Sequence, residues 1–238
     1  MDSPDYCREI EAYLCRKNDG HLIRITGPSF ALVSGWAEQG VPLKVAFSGI
    51  DRCFERYYRK GPRRRPLKID FCDADVLDVF DEWRRATGVA QSPVAGQHSP
   101  VAGRQSPVGS RQSLPAHLGR ALTKLTSART SGALGAEFDE LIDRVAKELD
   151  ASRESAGGLR GASRQSVIER LASIDAELLR QARGTLPPSS VADLSSEAES
   201  ELAAFRAAMS AESFARAREA AIDRLVRERF GLPTVAFA

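Results

Sequence analysis

Three nearly identical heptapeptides, QSPVAGQ (91–97), HSPVAGR (98–104) and QSPVGSR (105–111), followed by a fourth start, QSLP, occupy the middle of the chain. Seven residues is also the coiled-coil period. A proline in every copy, however, removes a backbone donor and clashes with the preceding turn, and one valine per copy cannot build a packed face. Ser, Pro, Gly and Gln without aromatic or acidic residues predict a disordered, polyproline-like spacer over 89–114. Folded structure must lie on either side of it, at 4–88 and at 115–232. A chain of 238 residues with 42% hydrophobic content can supply a core to each.

The C-terminal part reads as helix almost throughout. Phe138, Leu141, Ile142, Val145 and Leu149 recur at the spacing of one helical stripe. Val167, Ile168, Leu171, Ile174, Leu178 and Leu179 form a second stripe, with Ser166 and Glu169 at capping-box spacing. A third runs through Phe214, Ala217, Ala221, Ile222, Leu225 and Val226, with Ser210 as its N-cap and Gly231 and Pro233 as stop signals. Weaker helices cover 116–130 and 191–208. Short polar connections such as ESAGG and GTLPPSS predict an antiparallel helical bundle, whose stripes form its core or, for one of them, a dimerisation face.

The N-terminal part holds both tryptophans. Helices are expected over Tyr6–Lys17, over PSFALVSGWAEQG with Pro28 in its first turn and Gly40 at its end, and over VPLKVAFSGIDRCFERYYRKG. In that last segment Leu43, Ala46, Phe47, Ile50, Phe54 and Tyr57 make a core stripe. HLIRI is a short apolar run that fits a strand or a helix start, and LKIDF is a short extended candidate. DADVLDVFDEWRRATG is a final helix, with acids in its first turn and Arg84 and Arg85 in its last, where the helix dipole favours each.

Two helices joined through Gly40-Val41-Pro42 have the spacing of a helix-turn-helix, which offers its second helix to a DNA groove. The outer face of that helix carries Lys44, Ser48, Arg52, Arg56 and Arg59, and the following loop adds Lys60, Arg63, Arg64, Arg65 and Lys68. Between Arg52 and Lys68 there are eight basic residues and one acid, Glu55, a local charge of +7 in a chain whose formal net charge is +2. Tyr57 and Tyr58 interleave with the cations and offer a hydroxyl to a phosphate or a ring to a base. Against this stand Asp70, Asp73, Asp75, Asp78, Asp81 and Glu82, which follow at once and can fold back onto the arginines as a weak surface network. The acids are wanted at a helix start in any case. A Gly-Pro loop has no structural need for so many arginines.

Catalytic signatures are missing. The chain has no phosphate-cradling G-x-x-x-x-G-K-[ST], no G-x-S-x-G and no H-E-x-x-H. Cys7, Cys15, Cys53 and Cys72 show no C-x-x-C spacing, and His21, His98 and His117 are not placed to join them, so buried free thiols are expected rather than a metal site. No apolar run reaches membrane-spanning length and the start lacks a signal-peptide pattern, so the cytoplasm is the expected compartment.

The run from Val33 to Gly88 resembles the helical domain of DnaD-like primosomal proteins. There a Trp-bearing helix and a Gly lead into a long helix, then into a helix with an apolar–three–Trp pattern followed by Gly. Trp36 and Gly40 match the first part, and Val79, Trp83 and Gly88 the second; Asp75 stands where an aromatic is expected, and the Gly comes one residue late. The resemblance implies DNA binding and contacts with replication proteins, with Trp83 and its helix near the site. A winged helix is the competing arrangement, with HLIRI and LKIDF as strands and the arginine loop as the wing. The expectation is a mainly α, non-enzymatic and cofactor-free protein. It binds nucleic acid, DNA in the first place, through Lys44, Arg52, Arg56, Tyr58, Arg59, Lys60, Arg63, Arg64, Arg65 and Lys68. Its C-terminal helices recruit a protein partner or a second copy, and no membrane is involved. The alternative is a structural adaptor whose basic loop docks an acidic protein surface.

Overall fold

The computed structural model describes residues 2–59, 61, 65–89, 113–130, 135–156 and 160–237. The spacer expected over 89–114 lies outside the described residues except at its ends. Among the described residues every regular element is helical: α1 (Ser3–Lys17), α2 (Pro28–Glu38), α3 (Leu43–Tyr58), α4 (Asp73–Thr87), α5 (Leu114–Thr130), α6 (Ala136–Ala156), α7 (Gly161–Gly184), α8 (Pro188–Leu202) and α9 (Ala211–Phe230), with 3-10 turns at Ile69–Phe71 and Ala203–Ala208. The chain divides into two compact units. One comprises Met1–Gly96 with Glu199–Ala220, the other Gln97–Ala198 with Ala221–Ala238, so the division falls inside α8 and inside α9.

In the first unit, α1 buries Tyr6, Cys7, Ile10 and Leu14 on one face and packs against α2 and α3. Pro28 opens α2, which buries Val33 and Trp36. The helix ends where Gly40 turns to φ +77°, while the Val41 N–H donates to the Trp36 carbonyl at 3.0 Å and the Gly40 N–H to the Ala37 carbonyl at 3.0 Å. This Schellman closure satisfies the last carbonyls and needs a left-handed residue, hence glycine. A Cβ there would also meet the Ala204 Cβ at 3.0 Å and the Phe205 ring at 3.1 Å, because the second 3-10 turn packs onto this corner.

The most extensive packing in the unit is α3 against α4. Its centre is Gly49, where an added Cβ would lie 2.5 Å from the Val76 Cα, so the two backbones approach as only glycine permits. The buried face of α3 is Val45, Ala46, Gly49, Ile50 and Cys53. Of the stripe expected from sequence only Ala46 and Ile50 are fully buried; Leu43, Phe47, Phe54 and Tyr57 are half-buried. The small residues let α4 come close, and the bulky aromatics are left at the edge of the contact.

The extended candidates are not strands. In the first, the Ile25 N–H donates to Glu11 Oε2 at 2.8 Å, and the Ile23 N–H to Cys15 Sγ at 3.3 Å. In the second, the Leu67 N–H donates to Asn18 Oδ1 at 2.7 Å and its carbonyl accepts from Asn18 Nδ2 at 3.2 Å. Side chains thus take the hydrogen bonds a sheet would have used, and the winged arrangement has no strands among the described residues. The unit is completed from the far end of the chain. Leu202, Phe205, Phe214 and Ala217 are buried, and the Phe205 ring lies 5.7 Å from Trp83 and 6.3 Å from Phe80. Trp83 Nε1–H donates to the buried carboxylate of Glu201 at 3.0 Å.

In the second unit α5 packs on α6 and α6 on α7. Phe138, Leu141, Ile142, Val145 and Leu149 are all buried, as their spacing requires. On α7 Leu171, Ile174, Leu178 and Leu179 are buried, whereas Val167 and Ile168 are half-buried. That helix starts at Gly161, so Ser166 lies inside it rather than at its cap. The cap expected at Ser210 is present in the first unit, with the Ser213 N–H donating to Ser210 Oγ at 3.2 Å. Asp175 and Arg227, with side chains 11% and 15% exposed, pair through two bonds of 2.5 and 3.1 Å. Asp175 Oδ1 also accepts the Val235 N–H at 2.6 Å, and Arg227 donates to the Pro233 carbonyl at 2.8 Å. The chain after α9 is thereby fastened to α7.

Asp175→Ala leaves a buried guanidinium and a backbone N–H without their acceptor, and is expected to lower unfolding free energy by about 2–4 kcal/mol, measured by urea denaturation followed by circular dichroism. Gly49→Ala forces α3 and α4 apart and is expected to cost about 1–3 kcal/mol. Both tryptophans, Trp36 and Trp83, lie in the first unit, so their fluorescence follows this second loss.

Candidate nucleic-acid interface

The basic outer stripe of α3 is not uniform. Lys44 is exposed in its first turn, and Ser48 Oγ–H donates back to the Lys44 carbonyl at 3.0 Å. In the middle, the closeness of α4 brings acids within reach. Arg52 Nη1 lies 3.0 Å from Glu82 Oε1 and Arg56 Nη2 lies 2.5 Å from Asp75 Oδ2. The hydrogen bond and charge of each carboxylate push its arginine further toward the charged form. Arg52 and Arg56 remain 48% and 61% exposed, so pairing reduces local charge without removing the arginines from solvent; Glu82 is exposed too, whereas Asp75 is buried.

Three of the remaining acids have partners too, while Asp78 is exposed. Asp70 accepts from Ser29 Oγ–H at 2.7 Å, Asp73 from Trp36 Nε1–H at 2.9 Å, and Asp81 pairs with Arg84. The acidic run therefore folds back onto Arg52 and Arg56, and otherwise serves its own helix and α2.

Past Arg56 the arrangement changes. Arg59 is the exposed C-cap of α3, where a cation complements the helix dipole. Lys60, Arg63 and Arg64 lie outside the described residues. Arg65 and Lys68 are exposed, and among the described residues neither they nor Arg59 form a salt bridge. The segment that carries them is anchored at two points. Tyr57 O–H donates to the Arg65 carbonyl at 3.3 Å, and Leu67, fully buried, is held through both backbone groups by Asn18. Asn18 is itself only 4% exposed.

An aromatic row borders these cations. The Phe54 and Tyr58 ring centroids are 4.5 Å apart, Tyr58 meets Tyr57 edge-on at 5.0 Å, and Tyr57 lies 6.4 Å from Phe71 with the planes inclined by 30°. Phe71 is 58% exposed, one of the few large apolar side chains left in solvent. The extended reading of LKIDF assigned it no role. The signal available was its position beside the basic run, on a segment too short to bury both faces.

Beneath the row sit two thiols. Cys53 Sγ–H donates to the Phe71 carbonyl at 3.1 Å and Cys72 Sγ–H to the Lys68 carbonyl at 3.8 Å, and burial raises both thiols above their ordinary value, Cys72 the more strongly. They are free, as are Cys7 and Cys15. Among the described residues no group of three His, Cys, Asp or Glu is placed to hold a metal ion, and no helix is long and apolar enough to cross a membrane. Trp83, which the DnaD-like resemblance implies near the site, is 3% exposed and turned toward Glu201 and Phe205.

Comparison with protein-family models, with curated proteins and with solved structures finds no match to the chain. The resemblance of 33–88 therefore rests on its own residues.

A thiol held protonated by burial contributes stability that is present below the unfolded-state value of about 8.5 and is lost as pH rises above it. The urea midpoint of the first unit, followed by tryptophan fluorescence, is expected to fall between pH 8 and pH 10 by linkage. In a Cys53→Ala/Cys72→Ala variant that decline is expected to be shallower.

Proposed function

We propose that the chain is a non-enzymatic nucleic-acid-binding accessory protein, with DNA as its favoured ligand. It grips the phosphate backbone at the exit of α3, and its C-terminal helical bundle engages a partner or a second copy. The observation that carries this reading is the contrast along one helix. Arg52 and Arg56 are paired with acids of α4, whereas Arg59, Arg65 and Lys68 stand exposed without an acidic partner among the described residues. Unpaired cations concentrated at one end of a helix, on a segment pinned by Asn18 and Tyr57, favour a ligand that supplies its own negative charge. Arg63 and Arg64 belong to the same run in the sequence. The α2–α3 corner then acts in the manner of a helix-turn-helix, with its contacts shifted from the helix face to the helix end. Lys44 and the paired arginines serve as flanking contacts. The resemblance to DnaD-like domains points toward replication as the setting.

The ion pairs in the middle of α3 favour one other reading, an adaptor whose basic segment docks an acidic protein, since they leave a mixed rather than a purely basic face. Co-purification from nuclease-treated lysate separates the two: a stoichiometric partner that survives treatment supports the adaptor.

Fluorescence anisotropy against salt concentration tests the proposal. Replacing Arg59, Arg65 and Lys68 with alanine is expected to reduce the slope of log K on log salt by about 2 to 3, because each phosphate contact contributes about 0.7 to 0.9 to it. An unchanged slope overturns the assignment.

A further inference from the structure

Charge alone does not choose between a duplex and a single strand, but the aromatic row beside the cations does. We propose that Phe71, with Tyr57 and Tyr58 behind it, is a base-stacking platform, and that the ligand of this surface is an unpaired nucleic-acid strand. This inference rests on the nucleic-acid reading above.

Three observations converge on it. Phe71 is 58% exposed, while the rest of its turn is tied down: Ile69 is 2% exposed, the Cys72 N–H donates to the Ile69 carbonyl at 2.8 Å, and the Phe71 N–H donates to the Lys68 carbonyl at 3.2 Å. The ring is therefore presented on a fixed backbone. It continues a row of rings rather than standing alone, with Tyr57 at 6.4 Å and Tyr58 beyond it at 5.0 Å from Tyr57. Lys68 is three residues before it, and Arg65 shares a hydrogen bond with Tyr57, so cations and rings occupy one edge of the unit. Two acids share this edge. Glu55 is exposed one turn before Arg59, and Asp70 is held by Ser29.

The chemistry separates the two ligands. In a duplex each base is already stacked and paired, so an exposed ring at the protein surface finds no free base face to stack on unless base pairs are unstacked at a cost. A single strand offers base faces that stack on aromatic rings with little regard to sequence, while its phosphates follow the cations. A platform of this kind binds unpaired DNA or RNA of many sequences through one geometry.

The test is anisotropy of the full chain with three labelled probes: an oligothymidylate of about 12 nucleotides, a strand of the same length and charge without bases, and a duplex of the same length. The wild type is expected to bind the oligothymidylate more tightly than the other two. Phe71→Ala, at an exposed position where circular dichroism is expected to be unchanged, is expected to weaken oligothymidylate binding on the order of tenfold. It should leave the abasic strand, the duplex and the salt slope as they are, and Phe71→Trp should restore the affinity. If oligothymidylate and abasic strand bind alike and Phe71→Ala changes nothing, while the Arg59, Arg65 and Lys68 variant still flattens the salt slope, the platform is overturned and the nucleic-acid reading stands. If none of the probes binds, both are overturned.

Discussion

The close approach of α3 and α4 at Gly49 and Val76 determines most of what the first unit presents to its surroundings. Two helices can come this near only where the intervening side chains are small, and once they do the contact face is set by the glycine rather than by the bulkiest residues. The close approach has two results. It leaves Phe54, Tyr57 and Tyr58 half-buried at the margin of the contact, where they pack on one another and lead out to Phe71. It also turns Arg52 and Arg56 toward the first and third turns of α4, where Asp75 and Glu82 meet them.

Electrostatics then operates at two strengths in the same chain. The Arg52–Glu82 pair is exposed on both sides, and pairs of this kind contribute about 0–1 kcal/mol, so its consequence is the redistribution of surface charge rather than stability; Arg56 is exposed but its partner Asp75 is buried. Asp175 and Arg227 are nearly removed from water and share four hydrogen bonds with each other and with the backbone of the following tail. There the cost of taking charge out of solvent is offset by saturated geometry, and loss of either partner is felt. The exposed arginine, Arg52, keeps contact with solvent. The buried one is committed to the fold.

The first unit is also less local than chain order suggests. Contacts from Leu202, Phe205 and Glu201 reach Trp83, Phe80 and the Gly40 corner, so a segment more than a hundred residues downstream supplies part of its core. Trp83, which the expected DnaD-like pattern put near a binding site, is buried and has its indole N–H satisfied by Glu201. A sequence pattern is carried by spacing along the helix, and the same spacing serves burial as well as contact with a ligand.

Local rules were enough for much of this. The 3.6-residue period of Phe138, Leu141, Ile142, Val145 and Leu149 announced a buried face, and Ser210 and Gly40 marked helix ends. Each of these depends on neighbours within a few residues, which is why it could be read from the chain. The sequence also announced a basic run beside an acidic one, without deciding which charges would meet. That decision belonged to tertiary structure. The side chains that pair, and the ring that stays in solvent, depend on how close α4 lies to α3. Asn18 binds the backbone of a residue 49 positions away, and Glu201 binds Trp83 across 118. Short runs such as HLIRI and LKIDF are ambiguous because their backbone partners are side chains that only folding brings near. Spacing along one chain determined where helices form; the distance between helices, set by a single glycine at the α3–α4 contact, decided which charges are paired and which stay exposed.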